Sequence, residues 1–105
     1  MYLSVEKARE VFQNVEIHET AKIHETAKIH ETAEIGPGVV IGARVVISEG
    51  AVIGKDAIIR EGAEIRKGAK IGPGAEIGPR AVIREWAEIR KGLKLGKGLK
   101  LAQGL

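Results

Sequence analysis

An aliphatic residue occupies every sixth position of the chain from Ile17 to Leu101, through fifteen consecutive repeats. The first thirteen of these residues, up to Ile89, are isoleucine, and the last two are Leu95 and Leu101. A second column, mostly alanine, lies two residues before the first. Because a short fixed period is typical of solenoids, this pattern predicts a coiled stack of short strands.

Within each repeat the small residue and the following aliphatic residue point to the same side of a strand, so both are predicted to face inward. The residues after them predict corners. Gly36-Pro37-Gly38 and Gly72-Pro73-Gly74 suit type II turns, with proline and glycine at the two central positions. Threonine disfavours positive φ, so the corners at Thr20, Thr26 and Thr32 are expected to use a different turn.

Three strands per coil make a triangular prism of 18 residues per turn. Residues 18 apart then stack at the spacing of paired strands, about 4.8 Å. The fifteen repeats predict about five triangular coils in an all-β parallel β-helix solenoid. Leucines replace alanines near the C-terminal end, at Leu93, Leu99 and Leu105, which predicts a core that widens or is plugged there.

The first residues break the six-residue period and predict a short amphipathic α-helix. Its apolar side would carry Leu3, Val5, Ala8, Val11 and Phe12. Ser4 suits the N-cap and Asn14 the end of the helix. A helix of about ten residues is too short to be stable alone, so we expect it to cover the open end of the solenoid. The predicted organisation is a capping helix at 1–14 and a single β-helix domain at 15–105.

Composition limits the class of protein. The core must be narrow and aliphatic, because the only aromatic residues among 105 are Tyr2, Phe12 and Trp86. The chain has no cysteine, so the redox compartment cannot be inferred. Without a signal-peptide pattern or an apolar run near the 20 residues that span a bilayer, the prediction is a soluble protein with no membrane partner. Cytoplasmic expression fits this pattern, and the actual localisation stays open.

The net charge of +3 is unevenly distributed. From residue 90 onward there are five basic residues and no acid: Arg90, Lys91, Lys94, Lys97 and Lys100. Lysines at such an end keep an exposed strand edge from pairing with another molecule. A nucleic-acid partner is not predicted, because this end has no aromatic residue for base stacking and no known binding motif.

Two motifs resemble a known family. Ile17-His18-Glu19-Thr20-Ala21 is similar to the Ile-His-Pro-Thr-Ala opening coil of lipid A acyltransferases, and it recurs at Ile23 and Ile29. Ile71-Gly72-Pro73-Gly74-Ala75 resembles the hexapeptide repeat of left-handed parallel β-helix proteins, the superfamily of acyltransferases and γ-class carbonic anhydrases. The resemblance covers residues 15–105 and implies left-handed coils, against the usual right-handed bias of parallel crossovers.

The sequence departs from this family in one respect. The resemblance implies inserted loops that help to build active sites between the subunits of a trimer, with catalytic histidines or metal ligands there. No loop interrupts the repeats of this chain. The threefold IHETA copy and the regular Glu/Lys exterior indicate an idealised or engineered sequence.

His18, His24 and His30 are the only histidines and the only candidates for chemistry. Their spacing places one on each face of the first coil, so one chain cannot bring them to a common zinc ion. A homotrimer could gather one histidine from each chain on its axis. As a possible catalytic residue His18 is the best placed, with Glu16 and Glu34 near it. A role as first-coil corner residues is the alternative, and we predict no metal, catalytic or cofactor-binding residue.

Several outward strand positions are apolar. They are Val40, Val46, Val52, Ile58 and Val82, of which Val40 and Ile58 are predicted to stack on one face. A clustered apolar face is a candidate interface, and the family resemblance implies trimerisation along the prism. Arg60, Arg66, Arg84 and Trp86 are expected to border it.

The function predicted from the sequence is a structural or scaffold protein that self-associates and has no catalytic activity. The expected partner is a second copy of the chain, with a trimer favoured; no cofactor or small-molecule substrate is identified. The alternative is a minimal acyltransferase-like or metal-binding trimer that uses His18, His24 or His30.

Overall fold

The computed structural model describes residues 2–3, 10–11, 16–18, 20–97 and 100–101, with the side chains of residues 10–11, 17–18 and 20–97. In this part of the chain sixteen short strands form three sheets. Each sheet is one face of a triangular prism. The described part measures 34 × 23 × 19 Å along its principal axes.

Successive strands belong to successive faces. The first face consists of β2 (Glu16–Ile17), β5 (Glu34–Ile35), β8 (Val52–Ile53), β11 (Lys70–Ile71) and β14 (Glu88–Ile89). The second face consists of β1 (Tyr2–Leu3), β3 (Lys22–His24), β6 (Val40–Ile41), β9 (Ile58–Ile59), β12 (Glu76–Ile77) and β15 (Lys94–Leu95). The third face consists of β4 (Lys28–Ile29), β7 (Val46–Ile47), β10 (Glu64–Ile65), β13 (Val82–Ile83) and β16 (Lys100–Leu101).

The register is set by the 18-residue coil. Ile23 pairs with Ile41, and Val40 pairs with Ile58, in parallel strands. Each face contains five parallel strands, one from each coil, so its first and last parallel strands are four coils apart. The predicted all-β parallel solenoid is confirmed.

The N-terminal residues differ from their prediction. Tyr2 and Leu3 form β1, which pairs antiparallel with β3 at the start of the second face. Leu3 was assigned to the apolar side of the capping helix; it lies instead where a strand can satisfy the exposed edge of β3. Glu10 and Val11 are helical, but Val11 is 53% exposed and does not rest on the core. The remainder of the predicted helix lies outside the described residues.

The two inward columns form the core. From Ile35 to Ile89 every residue of both columns is at most 4% exposed. Alanine lets the walls converge at the corners while isoleucine fills the interior, which gives the close packing that native cores require. At the C-terminal end Leu95 is buried and Leu93 is half-buried. The other leucines predicted to plug this end, Leu99 and Leu105, lie outside the described residues.

Most corners place their second central residue at positive φ. Gly38 and Gly74 do so at 71°, as the type II turns predict. Arg44, Asp56, Arg80 and Trp86 adopt the same conformation, with φ between 58° and 64°. Thr20, Thr26 and Thr32 are not among the residues with positive φ. The three IHETA corners therefore use a different turn, as expected.

The positive-φ corners allow a test of backbone strain. The left-handed conformation costs a non-glycine residue about 1–2 kcal/mol, so Arg44→Gly is expected to raise the free energy of unfolding by about 0.5–1 kcal/mol. Gly92→Ala should lower it by about 1 kcal/mol, because a Cβ there meets nothing within 4 Å and only the φ angle of 70° opposes it. Chemical denaturation measures both changes.

Arg44→Ala separates strain from the loss of the side chain, which makes only an exposed ion pair with Glu61 at 3.4 Å. An increase in stability with alanine as large as that with glycine would contradict the strain explanation.

Candidate functional site

Each IHETA corner holds a short chain of hydrogen bonds between its histidine and threonine. The backbone N–H of Thr26 donates to Nδ1 of His24 at 3.1 Å, and the threonine Oγ1 lies 2.8 Å from the same nitrogen. Oγ1 also accepts the backbone N–H of Arg44, one coil further along the axis, at 2.9 Å. His18 with Thr20 and His30 with Thr32 repeat this geometry.

The reason lies in the corner hydrogen bonds of the later coils. There the second central residue donates its N–H to the carbonyl of the coil before it, as Gly62 does to Ala43 at 2.8 Å. Within the described residues no coil precedes the first one to accept this N–H, and histidine Nδ1 accepts it instead. The threonine hydroxyl in turn accepts the corner N–H of the second coil, which in later coils is accepted by a backbone carbonyl. The His-x-Thr corner therefore terminates the axial hydrogen bonds.

This geometry restricts the chemistry of the histidines. A backbone N–H can only donate, so Nδ1 of each neutral ring is an acceptor and the proton resides on Nε2. In this tautomer Nε2 is a hydrogen-bond donor, whereas a general base or a metal ligand needs its lone pair. The arrangement suits binding of an oxygen acceptor better than abstraction of a proton.

The three histidines lie on three different faces. His18 follows β2, His24 ends β3 and His30 follows β4. Within the described ranges no group of three or more His, Cys, Asp or Glu side chains could hold a metal ion. One chain therefore does not assemble a metal site from its three histidines. A metal site between chains would need one histidine from each chain.

His24 differs from the other two because it is half-buried, whereas His18 and His30 are exposed. It lines a groove, as His30 lines another of about 500 Å³ on the third face. The groove at His24 has a volume of about 530 Å³ and runs along the second face. Val40 and Ile58 form its apolar floor, while His24, Arg60 and Glu61 lie on its walls. Gly42 separates His24 from Arg60 in the same column; a Cβ there would lie 2.9 Å from the backbone nitrogen of Glu61. The close stacking of this corner on the next coil therefore requires glycine at this position.

Arg60 is held by the next coil. Its Nη2 lies 3.4 Å from Oε1 of Glu76, and Nζ of Lys94 lies 3.2 Å from the other carboxylate oxygen. The hydrogen bond from Lys94, and after it the one from Arg60, lower the pKa of Glu76 below its ordinary value of 4.5. This pair of contacts orients Arg60 beside the groove.

The apolar exterior residues are divided among the faces. Val40 stacks directly on Ile58 on the second face. Glu64 separates Val46 from Val82 on the third face, and Val52 lies alone on the first. Arg60 borders the Val40–Ile58 pair, but Arg66 and Arg84 follow strands of the third face and Trp86 is at its corner with the first. Of the four residues expected to border the apolar face, only Arg60 therefore lies beside the Val40–Ile58 pair.

Two family models match the chain. Residues 11–68, more than half of the sequence, match the GMPPB C-terminal domain, and residues 56–91 match the bacterial transferase hexapeptide of six repeats. The chain belongs to the family of the GMPPB C-terminal domain and carries the hexapeptide repeat of bacterial transferases. The predicted left-handed β-helix with hexapeptide repeats is thus confirmed. No curated protein matches the sequence.

Solved structures share the fold. The acetyltransferase domain of PglB from Neisseria gonorrhoeae is 24% identical, with a TM-score of 0.59 over 81% of this chain and 50% of that domain. Its complex with acetyl coenzyme A is similar at 21% identity, with a TM-score of 0.57 over 95% of this chain and 56% of that domain. The chain thus spans about half the length of these structures.

These comparisons correct one prediction. The expectation of a chain without catalytic activity is wrong: it is contradicted by the transferase hexapeptide repeat and by the two similar structures, which are of an acetyltransferase domain. The regular exterior led to that expectation, since no inserted loop offered a place for a site. The groove shows that residues of four successive coils create a concave surface without any loop. No helix in the described residues has the length and apolar character of a membrane span.

The sequence did not reveal the role of Thr20, Thr26 and Thr32, although their restriction to the first coil was a signal. Thr26→Val removes the acceptor of the Arg44 N–H in an exposed corner, and should lower the free energy of unfolding by about 0.5–1 kcal/mol. Denaturant titration measures the change. Thr26→Ser keeps the hydroxyl and is the matched control; equal losses in both variants would exclude the hydrogen bond as the cause.

The lowered pKa of Glu76 gives a pH prediction. Its charged form is favoured in the folded state, so its contribution to stability is present above pH 4.5 and is lost as the pH falls through the lower folded pKa. The stability difference between wild type and Glu76→Gln is expected to shrink in acid. Thermal unfolding of both proteins from pH 7 to pH 3 measures this difference, and a gap that is constant over this range would refute the prediction.

Proposed function

We propose that this chain is the β-helix of an acyltransferase-type protein, that its copies associate along the second face, and that the groove of that face binds an acyl thioester. The carrying observation is the groove of about 530 Å³, where His24 and Arg60 stand over the floor of Val40 and Ile58. The solved complex of the PglB acetyltransferase domain with acetyl coenzyme A supports this class of ligand. The hexapeptide repeat of bacterial transferases supports the reaction class.

The groove residues have complementary roles in acyl transfer. The nucleophilic oxygen or nitrogen of the acceptor attacks the thioester carbonyl, and its proton passes to the Glu61 carboxylate. The C–S bond then breaks, and the thiolate leaves and takes up the proton held by Glu61. His24, with its proton on Nε2, donates a hydrogen bond to the developing oxyanion. Arg60 supplies positive charge for a phosphate group of the donor.

Self-association follows from the same surface. Members of the hexapeptide-repeat transferase family are commonly trimers. Stacked Val40 and Ile58 leave an apolar strip that a second copy can cover, and a copy placed there would close the groove from outside. The scaffold role predicted from the sequence uses this interface too, and the engineered origin of the chain stays a prediction.

Calorimetric titration with acetyl coenzyme A tests the ligand. His24→Ala and Arg60→Met should each raise the Kd by about tenfold. His18→Ala is the matched control, because it loses the same corner hydrogen bonds on a different face and should leave the Kd unchanged. The site would be refuted if the wild type gave no heat of binding, or if His18→Ala raised the Kd as much as His24→Ala does.

Light scattering tests the association. Ile58→Lys is expected to give the mass of a monomer, whereas Val52→Lys, on the first face, should keep the mass of the wild type. A wild-type monomer, or the same loss of mass in both variants, would refute association along the second face.

A further inference from the structure

Trp86 is the only tryptophan of the chain and lies at the corner between the third and first faces. It occupies the second central corner position at φ 64°, where six described corners have glycine and three others have arginine or aspartate. A bulky side chain rarely adopts this conformation. Strain of this kind is retained mainly where the side chain has a function.

The ring of Trp86 lies flat on the corner of the coil below. A Cβ on Gly68 would overlap the six-membered ring, and Gly68 is buried although it sits at an outer corner. The backbone N–H of Trp86 donates to the carbonyl of Lys67 at 2.9 Å, which fixes the base of the side chain. Trp86 is nevertheless 69% exposed. One face of the indole is therefore supported by the protein and the other faces water.

A polar groove of about 390 Å³ lies on the third face next to this corner. Trp86 and Gly68 do not line it, but Glu85 and Lys67, which directly precede them in the chain, do. Val46 contributes an apolar part, and the polar lining consists of Ser48, Glu49, Glu64, Arg66, Lys67 and Glu85. Lys67 lies 3.5 Å from Glu49, and Arg66 lies 3.5 Å from Glu64. Donors and acceptors thus alternate along the groove.

The charges of the lining discriminate between ligand classes. An anion such as phosphate would meet three carboxylates, and a cation would meet Arg66 and Lys67. A neutral ligand with many hydroxyl groups can donate to the carboxylates and accept from the two cations. The exposed indole adds a flat apolar surface with one polar edge. A pyranose ring combines these features, because its C–H groups form an apolar face and its hydroxyls lie around the rim.

We propose that Trp86 and the adjacent groove bind the pyranose ring of a neutral carbohydrate, with a C–H face of the sugar stacked on the indole and its hydroxyls bonded to the carboxylates and cations. This site lies on a different face from the acyl thioester groove, and it does not depend on the function proposed above.

Because Trp86 is the only tryptophan, its fluorescence reports this site alone. Glucose, mannose, N-acetylglucosamine and their short oligomers are the probes, and at least one is expected to change the emission in a saturable way. Titration of the wild type without a saturable change for any probe would overturn the proposal.

Variants connect the signal to the residues. Measured by calorimetry, Trp86→Gly should raise the Kd of that sugar by at least about tenfold, while Trp86→Phe should retain most of the affinity. Trp86→Gly is expected to fold, since glycine suits this corner. Arg80→Gly is the matched control, because it relieves the same conformation at another corner, with φ 58°, and should leave the Kd unchanged.

Two further results would overturn the proposal. One is an unchanged Kd for Trp86→Gly. The other is a fall in oligomeric mass of Trp86→Gly in light scattering, which would place Trp86 in an interface between copies.

Discussion

The structure depends on hydrogen bonds that run along the axis, from each coil to the next one 18 residues later. They join strands on all three faces and continue around the corners, where Gly62 bonds to Ala43 and Trp86 to Lys67. Buried backbone groups need partners, so each coil is stable only with a neighbour of the same shape. The regular repeat of the sequence is a consequence of this constraint.

The first coil has to satisfy the same constraint without a predecessor. Its corners solve the problem with side chains: histidine accepts the unpaired N–H, and threonine offers an oxygen to the second coil. On the second face β1 adds an antiparallel strand below β3. These features explain why IHETA is confined to the start of the chain. They also engage Nδ1 of each histidine as an acceptor, which places the proton of the neutral ring on Nε2.

The sequence predicted the fold well because the fold is periodic. Two inward columns, glycine at corners and the 18-residue coil determine which residues stack, and the pairing of Val40 with Ile58 follows from counting. The histidine–threonine corners were not predicted, since the partner of Thr26 depends on the turn of its own coil and on the corner of the next. β1 has two residues, too few for any pattern. The 18-residue coil also places His24, Gly42 and Arg60 in one column, but counting does not show that their side chains and the neighbouring corners leave a concave surface.

Two inward columns and the corners carry the stability, so the outward positions can vary with little cost to the fold. Functional surfaces can therefore arise by exchange of single residues, without inserted loops. His24 and Arg60 stand in a column whose other residues, Gly42, Gly78 and Gly96, are glycine, and Trp86 takes a corner that glycine would occupy with less strain. In both cases a large side chain stands in a column that also holds glycine. Such departures from glycine indicate function in a regular solenoid, because the axial hydrogen bonds and the core do not require them.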